Sequence, residues 1–230
     1  MLTPEELSAL SLSLQVACWS VAASIIPAIA VAWVLARKNF PGKAVVDAII
    51  HLPLVLPPVA VGLGLLLLLG RNGVIGRWLH DSIGIDIAFT WKAAAIAAAV
   101  MGFPLMVRSI RLAMELVDTR IEQAARTLGA SPARVLCTIT LPLAAPGLLA
   151  GAVLAFARSL GEFGATITFA GNIQGLTRTL PSAIYTYSQS PGGDPPALRL
   201  MAISVVLALA ALLVSHFLGE RLARRLGNAA

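Results

Sequence analysis

The run Glu122-Gln123-Ala124-Ala125-Arg126-Thr127-Leu128-Gly129, followed after nine residues by Ile139-Thr140-Leu141-Pro142, decides how this chain is read. Ile121, Ala124, Ala125 and Leu128 recur at i, i+3, i+4 and i+7, which places them on one apolar helical face. Glu122, Gln123, Arg126 and Thr127 fill the other face. Thr119 stands three residues before Glu122, the spacing of a capping box. Gly129 permits a left-handed ending. Ser131-Pro132 then restarts a helix with a capping serine and a proline at its first position, where no backbone donor is lost. The small Ala124 and Ala125 would let a foreign surface come close to the backbone. Two readings stand: a surface helix lying on its own bundle, or an element gripped by another protein.

Long hydrophobic stretches flank this unit on both sides. Of the 230 residues, 58% are hydrophobic and only 12% charged, and the mean hydropathy is +0.86. A soluble domain of this length cannot hide so much apolar surface, so the composition predicts an all-α, multispanning membrane protein. A crossing helix needs roughly 20 apolar residues. Five stretches qualify: about 12–36, 44–70, 89–110, 139–170 and 198–219. The fourth is too long for one straight crossing, so part of it bends or leaves the bilayer; six spans result if it divides. Residues 1–230 form one domain, with no low-complexity segment and no internal repeat.

Orientation follows from the basic residues. With the first terminus outside, eleven Lys and Arg fall on inner segments and five on outer ones. The inner set comprises Arg37, Lys38, Lys43, Arg108, Arg111, Arg120, Arg126, Arg134, Arg221, Arg224 and Arg225. This split predicts an outer amino terminus, a cytoplasmic carboxyl terminus and a cytoplasmic loop over 111–138. It also accounts for most of the net charge of +6, so no nucleic-acid partner is called for. Glu5 and Glu6 occupy the place of a signal peptide's positive region, which argues against a cleavable signal. Thr3-Pro4-Glu5-Glu6 reads instead as a helix start, with Thr3 as cap and Glu6 reaching back. Cys18 and Cys137 fall on different sides and predict neither a disulfide nor a metal site.

Within the second stretch, Pro53, Pro57 and Pro58 each remove a backbone donor, so the helix must kink or open. A hinge or pathway wall around Pro57 and an ordinary proline kink are both open readings. Arg158 and Glu162 stand four residues apart inside the fourth stretch, where a lone charge costs roughly 2.5–3.5 kcal/mol. They either satisfy each other within the bundle or border a translocation route. Gly161 and Ala165 share four-residue spacing with Ala157, which suits close packing between helices. Gly164, Thr166 and Thr168 offer amide and hydroxyl donors. Residues 171–197 form a polar outer segment in which 181–189 can make a short helix. The segment from Ser190 to Pro196 breaks any helix, and Arg178 faces the outside. No serine, cysteine or histidine stands beside a recognisable base, which argues against an intramembrane enzyme.

Glu-x-Ala-Ala-x3-Gly-x9-Ile-x-Leu-Pro is matched by Glu122, Ala124, Ala125, Gly129, Ile139, Leu141 and Pro142. It resembles the signature loop of permease subunits in binding-protein-dependent ATP-binding-cassette importers. The runs His51–Pro58, Ala157–Thr166 and Thr177–Tyr185, continuing through Pro191-Gly192-Gly193, resemble molybdate permeases of the sulfate/molybdate permease family. The Leu160-Gly161-Glu162 region is common to the sulfate permeases, so sulfate and tungstate remain alternative substrates.

The resemblance implies a type I importer permease in the bacterial inner membrane that lines the pathway and works as a homodimer. Glu122, Ala124, Ala125, Arg126, Leu128 and Gly129 would dock on a separate ATPase subunit, present in two copies. Pro57, Arg158, Gly161, Glu162, Gly164, Thr166 and Thr168 would border the pathway. Arg178 would meet an extracytoplasmic molybdate-binding protein. The chain carries no Gly-x4-Gly-Lys-Ser/Thr phosphate loop, so ATP would be used by the partner and no cofactor held here. A passive channel would leave the docking loop without a purpose.

Overall fold

Pro4 suits the first turn of a helix because its φ is already set and its missing N–H has no partner to lose there. The computed structural model describes residues 2–227, without the side chains of Ser215 and of 222–227. In it Thr3 caps α1 (Pro4–Arg37). The Thr3 hydroxyl accepts from the Glu6 amide at 3.2 Å, and Glu6 Oε2 accepts from the Thr3 amide at 2.7 Å. This is the reciprocal box read from the sequence. It starts the helix eight residues earlier than the apolar stretch at 12.

The second stretch is two helices, α2 (Lys43–Val55) and α3 (Pro58–Leu69), bent by 111°. Pro57 and Pro58 supply no amide to continue α2, and the Pro57 ring drives Leu56 out of the helical region, to ψ 145°. The span is broken, not merely kinked. The short α4 (Val74–Ile83) follows, then α5 (Trp91–Glu115).

Beyond α5 lie α6 (Thr119–Thr127), α7 (Pro132–Val135), a π-helical turn (Leu136–Thr140) and α8 (Leu141–Leu143). The chain then bends by 74° into α9 (Ala145–Leu160). It finishes with α10 (Gly164–Phe169), α11 (Leu180–Ser188) and α12 (Asp194–Gly227). Among the described residues three helices, α1, α5 and α12 as far as Arg221, are long and apolar enough to cross a membrane. Counting each bent pair as one span makes five.

The structure departs from the sequence expectations at two helix ends. α9 stops at Leu160, so Gly161 and Ala165 do not extend the face of Ala157. Glu162 turns back to start a new helix instead. Asp194, Pro195 and Pro196 do not break a helix but open α12, because prolines in a first turn sacrifice no hydrogen bond. The carboxyl-terminal Arg224 and Arg225, which entered the charge split, lie outside the described side chains.

α5 is the centre of the bundle, packed along α1 and α9, while α12 covers α9 and α11. The α1–α5 seam is built from Val16, Ala28, Ala32, Ala94, Ala97 and Ala98. Lipid offers helices no hydrophobic drive to associate, so small side chains that let backbones approach carry the packing. α9 meets α5 through Gly147, Gly151 and Ala155, spaced four apart. A Cβ on Gly147 would stand 2.1 Å from the Ala113 Cβ, and one on Gly151 3.1 Å from the Met106 carbonyl. The Ser109 hydroxyl donates to the Gly147 carbonyl at 3.0 Å. One end of the bundle, the α6 end, holds Arg37, Glu115 and α6; Thr3, α4 and α11 mark the far end.

Candidate functional site

α6 begins one residue earlier than its capping threonine predicted. Asp118, with extended ψ of 118°, is the cap, and its Oδ1 accepts from the Arg120 amide at 2.8 Å. Thr119 is the first helical residue. A cap needs a non-helical backbone and a short acceptor side chain, and only Asp118 has both here. The other end closes as a Schellman motif. The Ala130 amide reaches the Ala125 carbonyl and the Gly129 amide the Arg126 carbonyl, each at 3.0 Å. Gly129 adopts φ +87°, and a Cβ built on it would meet no atom within 4 Å. Ser131 caps the next helix by accepting from the Arg134 amide at 3.3 Å.

α6 does not lie apolar side down: Gln123, Arg126 and Thr127 are exposed, and so is most of its apolar face. Leu128 is 89% exposed, and Ile121 and Ala124 are exposed beside it, while Glu122 is 4% exposed. Arg126 is exposed and Ala125 half-buried. Sequence periodicity grouped Glu122 with the outward polar residues; the structure turns it inward. Its Oε1 accepts from Arg37 Nη2 at 2.8 Å, Arg37 Nε at 3.1 Å and the Thr140 hydroxyl at 2.7 Å. Arg37 Nη2 also donates to the Val117 carbonyl at 3.2 Å. Three charge-assisted or short bonds to one oxygen offset the burial of the carboxylate. Arg37 and Thr140 were missed as members of the site. In the sequence Arg37 reads as a topology charge, and Thr140 falls on the unspecified position of the Ile-x-Leu-Pro segment.

An apolar cleft of about 570 Å³ lies beside α6, lined in part by Leu112, Ala113, Leu116, Val117, Ile121 and Leu143. Leu116 is 87% exposed. Nearby, between α2 and α5, Arg111 Nη1 meets Asp47 at 3.0 Å and its Nε meets Glu115 at 2.8 Å.

At mid-bundle the two interrupted spans meet. α10 packs on α3, and a Cβ on Gly164 would lie 2.7 Å from the Pro58 Cβ; one on Gly62 would lie 2.6 Å from the Ala165 carbonyl. Only glycines let these two broken backbones touch. Pro57 is at the break in one and Gly161 to Phe163 form the break in the other. Glu162, 2% exposed, holds the second break: Oε2 meets Arg158 Nη1 at 2.6 Å and Oε1 accepts from the Ala165 amide at 2.8 Å. Gly161 is exposed and the Arg158 side chain is 28% exposed. Thr166 is buried, and the Thr168 hydroxyl donates to the Gly164 carbonyl at 2.9 Å.

At the far end, Arg178 does not stand free in solvent. Its Nε donates to Asn172 Oδ1 at 2.9 Å, and Asn172 donates to the Thr186 hydroxyl at 2.8 Å, tying the 171–179 loop to α11. In the same region burial pushes the Tyr187 phenol above its ordinary range, and the facing Glu5 carboxylate adds to the effect.

A bundle of up to five crossings, two of them broken and packed break to break, with the amphipathic α6 exposed at one end, has the type I fold of ATP-binding-cassette importer permeases. The chain belongs to the family described as binding-protein-dependent transport system inner membrane component, whose model matches residues 28–228. It is a multi-pass inner-membrane protein. The molybdenum transport system permease protein of Escherichia coli (strain K12) is 57% identical over 99% of this chain and 100% of its own length. That of Haemophilus influenzae is 54% identical over 97% of both. A sulfate transport system permease protein of E. coli is 40% identical over 80% of this chain and 65% of its own. Among solved structures, the methionine ABC transporter in inward-facing conformations matches with a TM-score of 0.67 at 16% identity, over 94% of each chain. A bacterial alginate ABC importer matches with 0.69 at 16% identity, over 97% of this chain and 80% of that one. These two likenesses concern the fold.

Proposed function

We propose that this chain is the membrane-spanning permease subunit of an ATP-driven importer of molybdate, working as two copies with two copies of a separate ATPase and an extracytoplasmic molybdate-binding protein. The observation that carries the substrate is the 57% and 54% identity, over nearly the whole chain, to permeases named for molybdenum, against a weaker and shorter match to one named for sulfate. Sulfate and tungstate are the competing cargoes.

Ala124, Ala125, Arg126, Leu128 and Gly129 form the surface offered to the ATPase, and Glu122 holds that surface from behind. The excess of Lys and Arg at the α6 end supports a cytoplasmic location for α6 and an outer amino terminus. Closure of the ATPase pair pulls the two permeases outward-facing, the binding protein releases its anion into the cavity, and hydrolysis returns the inward-facing state. ATP acts by contacting the two states differently; the permease performs no covalent chemistry and holds no cofactor.

The pathway runs past the paired breaks at Pro57 and Gly161–Gly164. Arg158, partly exposed and already paired, tempers the field on a dianion without trapping it, as a transported ion must also leave. Thr168 and Glu162 hold the backbone of that wall, and Thr166 is buried within it. Arg178 positions the loop on which the binding protein settles. The test is labelled molybdate uptake, with sulfate and tungstate as competitors, in cells with and without this gene. Uptake lost with the gene and displaced by tungstate but not by excess sulfate supports molybdate. Displacement by equimolar sulfate transfers the reading to the sulfate class.

A further inference from the structure

We propose that Arg37 and Thr140 are positioning residues that carry the motion of α6 into the bundle, with Glu122 as the shared joint. This rests on the reading of α6 as the ATPase-docking element and goes beyond it, because neither residue lies on the docking surface.

The geometry has three parts. α6 packs chiefly against the segments that follow it, α7 and the π-helical turn, so its neighbours in the chain give it little grip on the rest of the molecule. The long-range tie is the Arg37 guanidinium, 85 residues away in sequence, at the last residue of α1. It forks onto Glu122 with Nε and Nη2 and uses Nη2 again on the Val117 carbonyl, which clamps both α6 and the turn before it. The second tie is the Thr140 hydroxyl, which leaves from the π-helical turn just ahead of the 74° bend into α9. A π turn is a local slack point in a helix and is often placed where one is needed for function.

Arg37 ends an element that runs the height of the bundle, and Thr140 ends the turn that leads through α8 into α9. α1 lies along α5, and at its opposite end Glu6, fully buried, binds Arg199 of α12 at 2.8 Å. α1 is thus a strut held at each end by a buried carboxylate that an arginine pairs, Arg37 largely buried and Arg199 partly exposed. A displacement of α6 is delivered to α1 through Arg37 and to α9 through Thr140. A lysine at 37 would keep the charge but lose the fork that grips two acceptors at once.

The experiment uses the full permease co-expressed with its ATPase subunit, reconstituted in proteoliposomes with molybdate-loaded binding protein. Three readouts are taken: recovery of the ATPase on the tagged permease, stimulation of ATP hydrolysis by the loaded binding protein, and molybdate imported per ATP. For Arg37→Met the ATPase is recovered at the wild-type level while uptake per ATP falls about tenfold, the usual size of a coupling between sites. Thr140→Val gives a smaller loss of the same kind, and Arg37→Lys an intermediate one. The exchanged pair Arg37→Glu with Glu122→Arg recovers more coupling than either single change.

Unchanged molybdate per ATP in Arg37→Met overturns the proposal. So does loss of the ATPase from that variant, which would make Arg37 a mere support of the docking face. If Arg37→Met fails to accumulate in the membrane, Arg37→Lys and Thr140→Val decide, and wild-type coupling in both overturns it. Failure of the wild-type permease to retain the ATPase instead overturns the docking reading itself.

Discussion

Arg158 and Glu162 close a 2.6 Å ion pair across the end of α9, and the second oxygen of Glu162 takes the Ala165 amide of α10. One buried carboxylate therefore serves as both the counter-ion of a helix end and the start of the next helix. Removing one partner of a buried pair costs about 3–5 kcal/mol, since the other is left uncompensated. The effect here lies at the low end, because the guanidinium reaches open space.

Glu162→Ala loses both functions at once, whereas Glu162→Gln retains an oxygen for the Ala165 amide. The thermal midpoint of the purified permease in detergent should fall in the order wild type, Gln, Ala. Equal midpoints for Gln and Ala would remove the capping role from Glu162.

Leu128→Asp changes a side chain that is almost wholly exposed, so permease stability should stay within about 0.5 kcal/mol of wild type. Retention of the ATPase subunit on the tagged permease should nonetheless drop at least about tenfold, the loss of roughly 1.4 kcal/mol of interface. Thermal unfolding and co-purification, run on the same preparation, separate the two effects. Full retention of the ATPase would show that α6 docks through another face.

Gly129 is in the left-handed region with open space around it, so a side chain there meets no neighbour and only the backbone is strained. Gly129→Ala should loosen the α6 turn by about 1 kcal/mol, with Gly129→Asn milder because asparagine tolerates that region. Amide hydrogen exchange at Leu128, Gly129 and Ala130 reads this directly. Exchange unchanged in the alanine variant would contradict it.

Gly147 poses the opposite case, since its added Cβ would run into Ala113, a side chain with no freedom to swing away. Gly147→Val should separate α9 from α5 and cost about 1–3 kcal/mol or more. The expected result is a lower thermal midpoint, partly recovered by the companion change Ala113→Gly. No recovery in the double variant would mean the clash lies elsewhere.

Features governed by neighbours in the chain were legible from the residues: the box of Thr3 and Glu6, the left-handed Gly129, the serine–proline restart at 131–132, and the helix near 181–189. The broken second span was legible as a defect at Pro57 but not as a 111° reversal, because prolines say where a helix stops and not where the chain goes next. Glu122 was misplaced for a different reason. Helical periodicity assigns a carboxylate to the wet face, and only a guanidinium 85 residues distant and a hydroxyl 18 residues distant could draw it inward. The same holds for Gly147 and Gly151, whose meaning lies in Ala113 and Met106 across the seam.

A photoreactive side chain at position 128, introduced in cells that also make the ATPase subunit, tests the central claim most directly. The account predicts a covalent adduct joining permease and ATPase, formed from the cytoplasmic side, with a yield that changes when ATP is bound. An adduct only with lipid or with the permease itself, or labelling only from the outer side, would contradict it.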